Sequence, residues 1–137
     1  MSYAVYLSTV HYIIKNMENK IENFTDLRAW KEGHILVLMV YKATESFPQK
    51  ETFGLVSQMR RAAVSITSNI AEGFSRRTAK DKCQFYSISS GSITELQDQL
   101  IISKDVRYLS AKDFDNIYHQ SIEVKKIVSG LKRIYHD

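Results

Sequence analysis

The sequence predicts an all-α chain folded as an up-down antiparallel four-helix bundle. Three observations carry this. The 137 residues include one Pro and five Gly, too few for the many tight turns of a β-sandwich or barrel. Apolar residues recur at three-four spacing in four stretches. Those stretches open or close on capping and breaking signals and are joined by short connections, which makes neighbouring helices antiparallel.

The first bundle helix follows Phe24-Thr25-Asp26, where Asp26 can accept from the exposed N–H groups. Its stripe reads Leu27, Trp30, His34, Val37, Leu38, Tyr41, and it must stop before Pro48 because the residue ahead of a proline is pushed out of the helical region. The second begins around Pro48 to Glu51 and carries Leu55, Met59, Ala62, Ala63, Ile66 and Ile70. Gly73 suits its end, since glycine accepts the left-handed conformation that closes a helix. Thr78-Ala79-Lys80-Asp81 announces the third as a capping box with Asp in place of Glu. Its stripe is Phe85, Ser89, Ser92 or Ile93, Leu96, Leu100. Ser110-Ala111-Lys112-Asp113 announces the fourth, which continues through Ile117, Ser121, Val124, Val128, Leu131 and Ile134 or Tyr135. The bundle domain is thus 24–137. Residues 1–23 stand apart as an N-terminal appendage, either a short extra helix from Tyr3 to Met17 or an extension left by an upstream start before Met17.

Composition narrows the class of protein further. Hydrophobic residues make up 44% and charged residues 25%, the balance of a globular domain rather than a disordered chain. Cys83 is the only cysteine, so a disulfide scaffold is excluded and a buried small thiol is expected. The longest apolar run, Ile35 to Tyr41, is far short of the ~20 residues that a membrane span needs. The N-terminus lacks the leading positive charge of a signal peptide, so no membrane partner is expected and the cytoplasm is the expected compartment.

Residue chemistry offers no reaction. A di-iron bundle needs paired Glu-x-x-His motifs, yet Ser8, Lys31, Asn116 and Arg133 stand three residues before the four histidines. HExxH, CxxC and a glycine-rich phosphate loop are also absent. No catalytic residue, metal site or cofactor is therefore expected, and the chain reads as a non-enzyme.

What remains are surfaces. The net charge is +4, and it is unevenly placed. Residues 50–82 hold seven basic and three acidic side chains, and residues 123–137 hold four and two. Arg60, Arg61, Arg76, Arg77, Lys80 and Lys82 are candidates for a phosphate-binding surface; the alternative is that they only solvate helix faces. The run Ile35–Tyr41 is apolar all round, whereas a helix packed on one side of a bundle needs only a stripe. Ile35, Leu36, Met39 and Val40 are accordingly candidates for a subunit interface. In the third helix Ser89-Ser90-Gly91-Ser92 lets a neighbour approach closely, and Gly91 in mid-helix costs about 1 kcal/mol against Ala. Gln58, Asn69, Glu72 and Glu95 interrupt the inward faces and are expected to form a structural polar network with Arg60 or Arg61.

Three stretches carry a resemblance: FTDLRAWKEGHILVLMVYKATESFP (Phe24–Pro48), GLVSQMRRAAVSITSNIAEGFSRR (Gly54–Arg77) and FYSISSGSITELQDQL (Phe85–Leu100). Together they resemble the 23S rRNA intervening-sequence protein family of four-helix-bundle proteins, over about Phe24 to Asp137. The Ser-Gln-x-Arg-Arg-Ala-Ala-Val-Ser-Ile run leading into Asn-Ile-Ala-Glu-Gly is its specific part. Thr67 departs from the family, which usually has proline there, and a retained N–H should leave the second helix straighter. The resemblance implies a homo-oligomeric ring, a pentamer, with rRNA or other nucleic acid as partner. Through a further likeness to the accessory protein of diversity-generating retroelements, it also implies a reverse transcriptase as partner. Arg60, Arg61, Asn69, Glu72, Gly91, Ser92 and Glu95 match family positions, and none is a known catalytic residue of the family.

Overall fold

The computed structural model describes residues 2–18 and 20–136, with residues 12–18 described by their backbone alone. Among the described residues there are five α-helices and no strand: α1 (Tyr3–Glu18), α2 (Arg28–Thr44), α3 (Ser57–Ser75), α4 (Ala79–Asp105) and α5 (Ala111–Tyr135). α1 covers the short extra helix expected from Tyr3; its apolar Tyr3, Val5, Tyr6 and Leu7 are exposed. The Met17 side chain lies outside the described residues.

The other four helices close a cycle, α2 on α3 and α5, α4 on α3 and α5. Cross-helix contacts show the direction of each pair. Gly33 sits against Thr67, whereas eleven residues further along α2 Thr44 Oγ1 accepts from Arg60 Nε at 3.0 Å. Ser89 Oγ donates to the Ile66 carbonyl at 2.9 Å, and Ser103 Oγ points to Met59 Sδ at 3.3 Å. Cys83 Sγ approaches the Lys132 carbonyl at 3.5 Å, and Gln97 Nε2 donates to Ser121 Oγ at 3.1 Å. Glu32 accepts from Gln120, while Phe47 meets Tyr108. In every pair the numbering rises on one helix as it falls on the other, so all four pairs are antiparallel.

Burial gives this arrangement its stability. Met59, Ile66 and Ile70 of α3, Ile93, Leu96 and Leu100 of α4, and Val124 and Val128 of α5 have no exposed surface, each contributing about 1.5–3 kcal/mol. These are the stripes expected from the sequence, with two adjustments. On α4 the buried aromatic is Tyr86 and Phe85 is half-buried; on α5 Tyr135 turns partly inward and Ile134 is out in solvent.

On α2 the expected stripe is displaced. The buried face is Ala29, Gly33, Leu36, Val40 and Thr44, while His34, Leu38 and Tyr41 are exposed. The small residues, not the large ones, mark the side that meets α3; Gly33 lies so close that a Cβ there would stand 3.1 Å from Thr67 Cγ2. Leu36 and Val40, expected at a subunit interface, are therefore consumed by the chain's own core at 0% exposure.

Helix boundaries follow from local hydrogen bonds. Thr78 Oγ1 and Ser110 Oγ accept from the amides of Asp81 and Asp113, each at 3.1 Å, and cap α4 and α5 as expected. Asp26 does not cap α2. Its carboxylate accepts from the Glu22 and Asn23 amides, closing a reciprocal cap with Asn23 around the 3-10 turn Phe24–Asp26. Those amides hold its carboxyl below the usual range. The second bundle helix opens as a 3-10 turn at Gln49–Glu51 and a wide turn at Thr52–Val56, where the Glu51 carboxylate takes the Leu55 amide at 3.0 Å. Regular α3 begins only at Ser57 and runs unbroken through Thr67. Gly73 is not a left-handed terminator, since no described glycine has positive φ. It lies inside α3, pressed against Tyr86. The left-handed residue is Arg107 (φ 67°), past the end of α4, where the Arg107 and Tyr108 amides return to Lys104 and Ser103.

The expected polar network does not form. Gln58, Glu72 and Glu95 are exposed; Asn69 bonds its own helix through Ser65, Glu72 bonds Arg76, and Glu95 accepts from Gln99. Arg60 is bound by Thr44 and the Tyr41 carbonyl rather than by Glu72 or Glu95. Among the described residues the polar side chains inside the fold are the hydroxyls of Thr44, Ser89, Ser92, Ser103 and Ser121 and the amide of Gln99, which donates to Glu95 at 3.3 Å. A serine buries little and satisfies itself on a nearby carbonyl or hydroxyl, as Ser65 and Ser92 do with each other at 2.8 Å.

Candidate nucleic-acid interface

Antiparallel packing brings four helix termini to one end of the molecule: the start of α2, the end of α3, the start of α4 and the end of α5. The turn between α3 and α4 contributes Arg76, Arg77, Lys80 and Lys82, and the last turns of α5 contribute Lys132 and Arg133. These are remote in sequence but adjacent in space. Cys83 reaches the Lys132 carbonyl, and Lys82 Nζ stands 5.5 Å from the centre of the Tyr135 ring. The α3–α4 turn and the end of α5 thus bring six cations near one another, with Glu72 and Asp81 beside them.

Their availability differs. Lys82 Nζ donates to the Phe74 carbonyl at 2.7 Å and the Gly73 carbonyl at 3.3 Å, neutralising the exposed carbonyls that end α3. Arg76 pairs with Glu72 at 3.2 Å and lies 4.6 Å over the Phe85 ring, its side chain still half in solvent. Arg77 and Lys80 are exposed, as is Arg133. Arg60 and Arg61 do not belong to this end. Arg60 is half-buried with its guanidinium 4.6 Å over the Tyr41 ring, and Arg61 is exposed about one turn into α3, towards the opposite end.

The basic surface continues along α5. A shallow groove of about 380 Å³ is lined by Ile122, Lys125, Lys126, Ser129 and Arg133, and a second of about 340 Å³ by Ser129, Lys132, Arg133 and His136. Lys126 pairs with Glu123 at 3.5 Å, and Lys125 donates to Thr94 of α4 at 2.7 Å. The α5 cations are the site residues that sequence reasoning missed. The excess in 123–137 was visible, but only the α4–α5 pairing joins it to residues some fifty positions earlier. Such a surface neutralises phosphates; it presents no element shaped to read base edges.

A larger groove of about 670 Å³ lies at the other end, between the end of α2 and the start of α5, with Met39, Lys42, Tyr108, Asp113 and Asn116 in its wall. Its two serines bond the backbone: Ser46 Oγ donates to the Ala43 carbonyl at 3.2 Å, and Ser110 Oγ accepts from the Asp113 amide at 3.1 Å. Met39, expected at a subunit interface, faces this groove, while Ile35 lies on the outer side of α2 at 46% exposure. Among the described residues no group of three or more His, Cys, Asp or Glu is placed to hold a metal, and no helix is long and apolar enough to cross a membrane.

Compared with curated proteins, the chain finds no match. The family model described as 23S rRNA-intervening sequence protein matches residues 25–130, from the 3-10 turn before α2 to the last turns of α5. That span holds α2, α3, α4 and most of α5, well over half of the sequence, so the chain belongs to the 23S rRNA-intervening sequence protein family.

Proposed function

We propose that this protein is a non-enzymatic, homo-oligomeric four-helix-bundle protein that engages RNA or other nucleic acid through its basic end. The observation that supports the reading is the meeting of two basic stretches, 76–82 and 125–133, at the α3–α4 turn and along the end of α5. Phosphate neutralisation needs only charge and exposure, so binding is weakly sequence-specific and strongly salt-dependent. Oligomerisation is supported by the outer side of α2, where Ile35, Leu38 and Tyr41 are 46%, 55% and 40% exposed. Three large apolar side chains on one stripe of a soluble monomer call for a cover.

The test is nucleic-acid binding by the purified protein as a function of salt, with rRNA fragments against unrelated duplexes. Log affinity should fall linearly with log salt, by about 0.7–0.9 per phosphate contacted. Replacing Arg76, Arg77, Lys80 and Lys82 by Ala should flatten that line. An unchanged slope, or no binding at low salt, would overturn the reading. The second reading, an assembly module whose charge only solubilises it, would then hold; it draws on the tying of Arg60, Arg76 and Lys82 into the fold itself.

A further inference from the structure

Two faces on opposite sides of the molecule remain unaccounted for, and they are complementary. α2 and α4 are diagonal in the helix cycle, each flanked by α3 and α5, so their outer faces point away from each other. The outer face of α2 is a stripe at three-four spacing, Lys31, Ile35, Leu38 and Lys42, and its exposed charges within the helix (Arg28, Lys31, Lys42) are all basic. The outer face of α4 is a stripe of the same period, Ile88, Gly91, Glu95, Asp98 and Ile102, and its charges are acidic.

Gly91 gives the second observation. It lies mid-helix, where glycine weakens the helix relative to alanine. A Cβ built there meets nothing within 4 Å, so close packing inside the chain does not explain it. A bare helix surface beside exposed Ile88 is a seat for a side chain from outside.

We infer that the outer face of α2 docks on the outer face of α4 of a second copy of this chain, with Ile35 against Ile88, Leu38 over Gly91 and Lys42 beside Glu95. This rests on the homo-oligomer reading above and deepens it. Because the two faces differ, the contact is heterologous; faces pointing directly apart repeat as an open row, and a ring closes only where each copy is rotated relative to the last. α2 and α4 run in the same direction, both antiparallel to α3. Rotation about an axis along the helices preserves that direction, so α2 of one copy meets α4 of the next in parallel. In parallel, the intervals 35–38–42 and 88–91–95 coincide residue for residue. Lys42 is available for the exchange: its own partner, Glu45, is 3.8 Å away with both side chains well exposed, a pair of little worth in water.

Sedimentation velocity and light scattering on the full chain decide it, with circular dichroism to confirm helix content. The wild-type protein is expected as an oligomer at micromolar concentration. Gly91→Trp, at a position open to solvent, should leave the helices intact and reduce the mass to that of a monomer. Lys42→Glu and Glu95→Lys should each weaken assembly at least about tenfold by setting like charges together, and the double variant Lys42→Glu/Glu95→Lys should recover it. A monomeric wild type would overturn the homo-oligomer reading and this inference together. An oligomer indifferent to Gly91→Trp and Lys42→Glu would leave that reading standing and overturn the pairing of these two faces. Loss in both single variants without recovery in the double variant would overturn the register.

Discussion

The ring of Tyr86 lies directly against the α-carbon of Gly73, so close that a Cβ at position 73 would stand 2.5 Å from Cε1. The contact fixes the approach of α3 to α4 one turn from their connection. Alanine at 73 would gain up to about 1 kcal/mol of helix propensity, but Tyr86 is 1% exposed and has nowhere to move. Overpacking of this kind costs about 1–3 kcal/mol. Gly73→Ala should therefore destabilise by up to about 2 kcal/mol net in a urea titration. Combining it with Tyr86→Leu, which removes the ring, should make the alanine neutral or favourable in that background.

Tyr86 also carries a pH signature. Burial first, and then the neighbouring Tyr135 and Cys83, push its phenol up to about 12 from the ordinary 10. The folded state holds this proton more tightly than the unfolded one, so the stabilisation is fully present below pH 10. It is lost as pH rises from 10 towards 12, amounting to on the order of 2 kcal/mol. The comparison is with Tyr86→Phe, which keeps the ring. The wild type should lose stability more steeply than this variant above pH 10, and the two curves should run parallel below it. Parallel curves throughout would mean that the phenolate is accommodated.

Adjacent arginines on α3 should behave differently. Arg60 holds Thr44 Oγ1 at 3.0 Å and stacks on Tyr41, joining α3 to α2 through a hydroxyl that is 3% exposed. A hydrogen bond of this kind is worth about 1 kcal/mol and the cation–π contact about 0.5–1, so Arg60→Ala should cost about 1–2 kcal/mol. Arg61 is exposed, and Arg61→Ala should stay within about 0.5 kcal/mol of wild type. Thermal unfolding of the two variants side by side checks this; equal losses would refute it.

What could be read from the sequence and what could not divides on physical lines. Caps were legible because Thr78 and Ser110 act on amides three residues away, and the α3 stripe because its polar residues mark the other side. The orientation of α2 was not legible: Ile35 to Tyr41 is apolar in every direction, so periodicity has no phase there. The deciding residues, Ala29, Gly33 and Thr44, are small, and their importance lies in how closely α3 approaches. The turn at Arg107 was hidden because a left-handed position occupied by arginine has no compositional mark. At the basic end the α3–α4 cations were visible, but Lys125, Lys126, Lys132 and Arg133 join them only through the fold. Nor does sequence distinguish a lysine bound to carbonyls from one open to solvent.

That distinction yields the last prediction. Lys82 bonds two carbonyls at the end of α3, whereas Arg77 and Lys80 are exposed. Lys82→Ala should therefore act on stability, at about 1–2 kcal/mol for two charge-assisted bonds in a half-buried setting. Its effect on the salt dependence of nucleic-acid binding should be small, because its charge is largely engaged. The double variant Arg77→Ala/Lys80→Ala should do the reverse. Its melting temperature should match wild type, while the slope of log affinity against log salt should shrink by about 1.4–1.8, two phosphate contacts' worth. Melting curves and a salt titration on the two variants give four numbers that must fall in this crossed pattern. If Lys82→Ala alone moved the slope as much as the double variant, the carbonyl-bound ammonium would be a phosphate contact after all, and nucleic acid would have to displace the end of α3 to reach it.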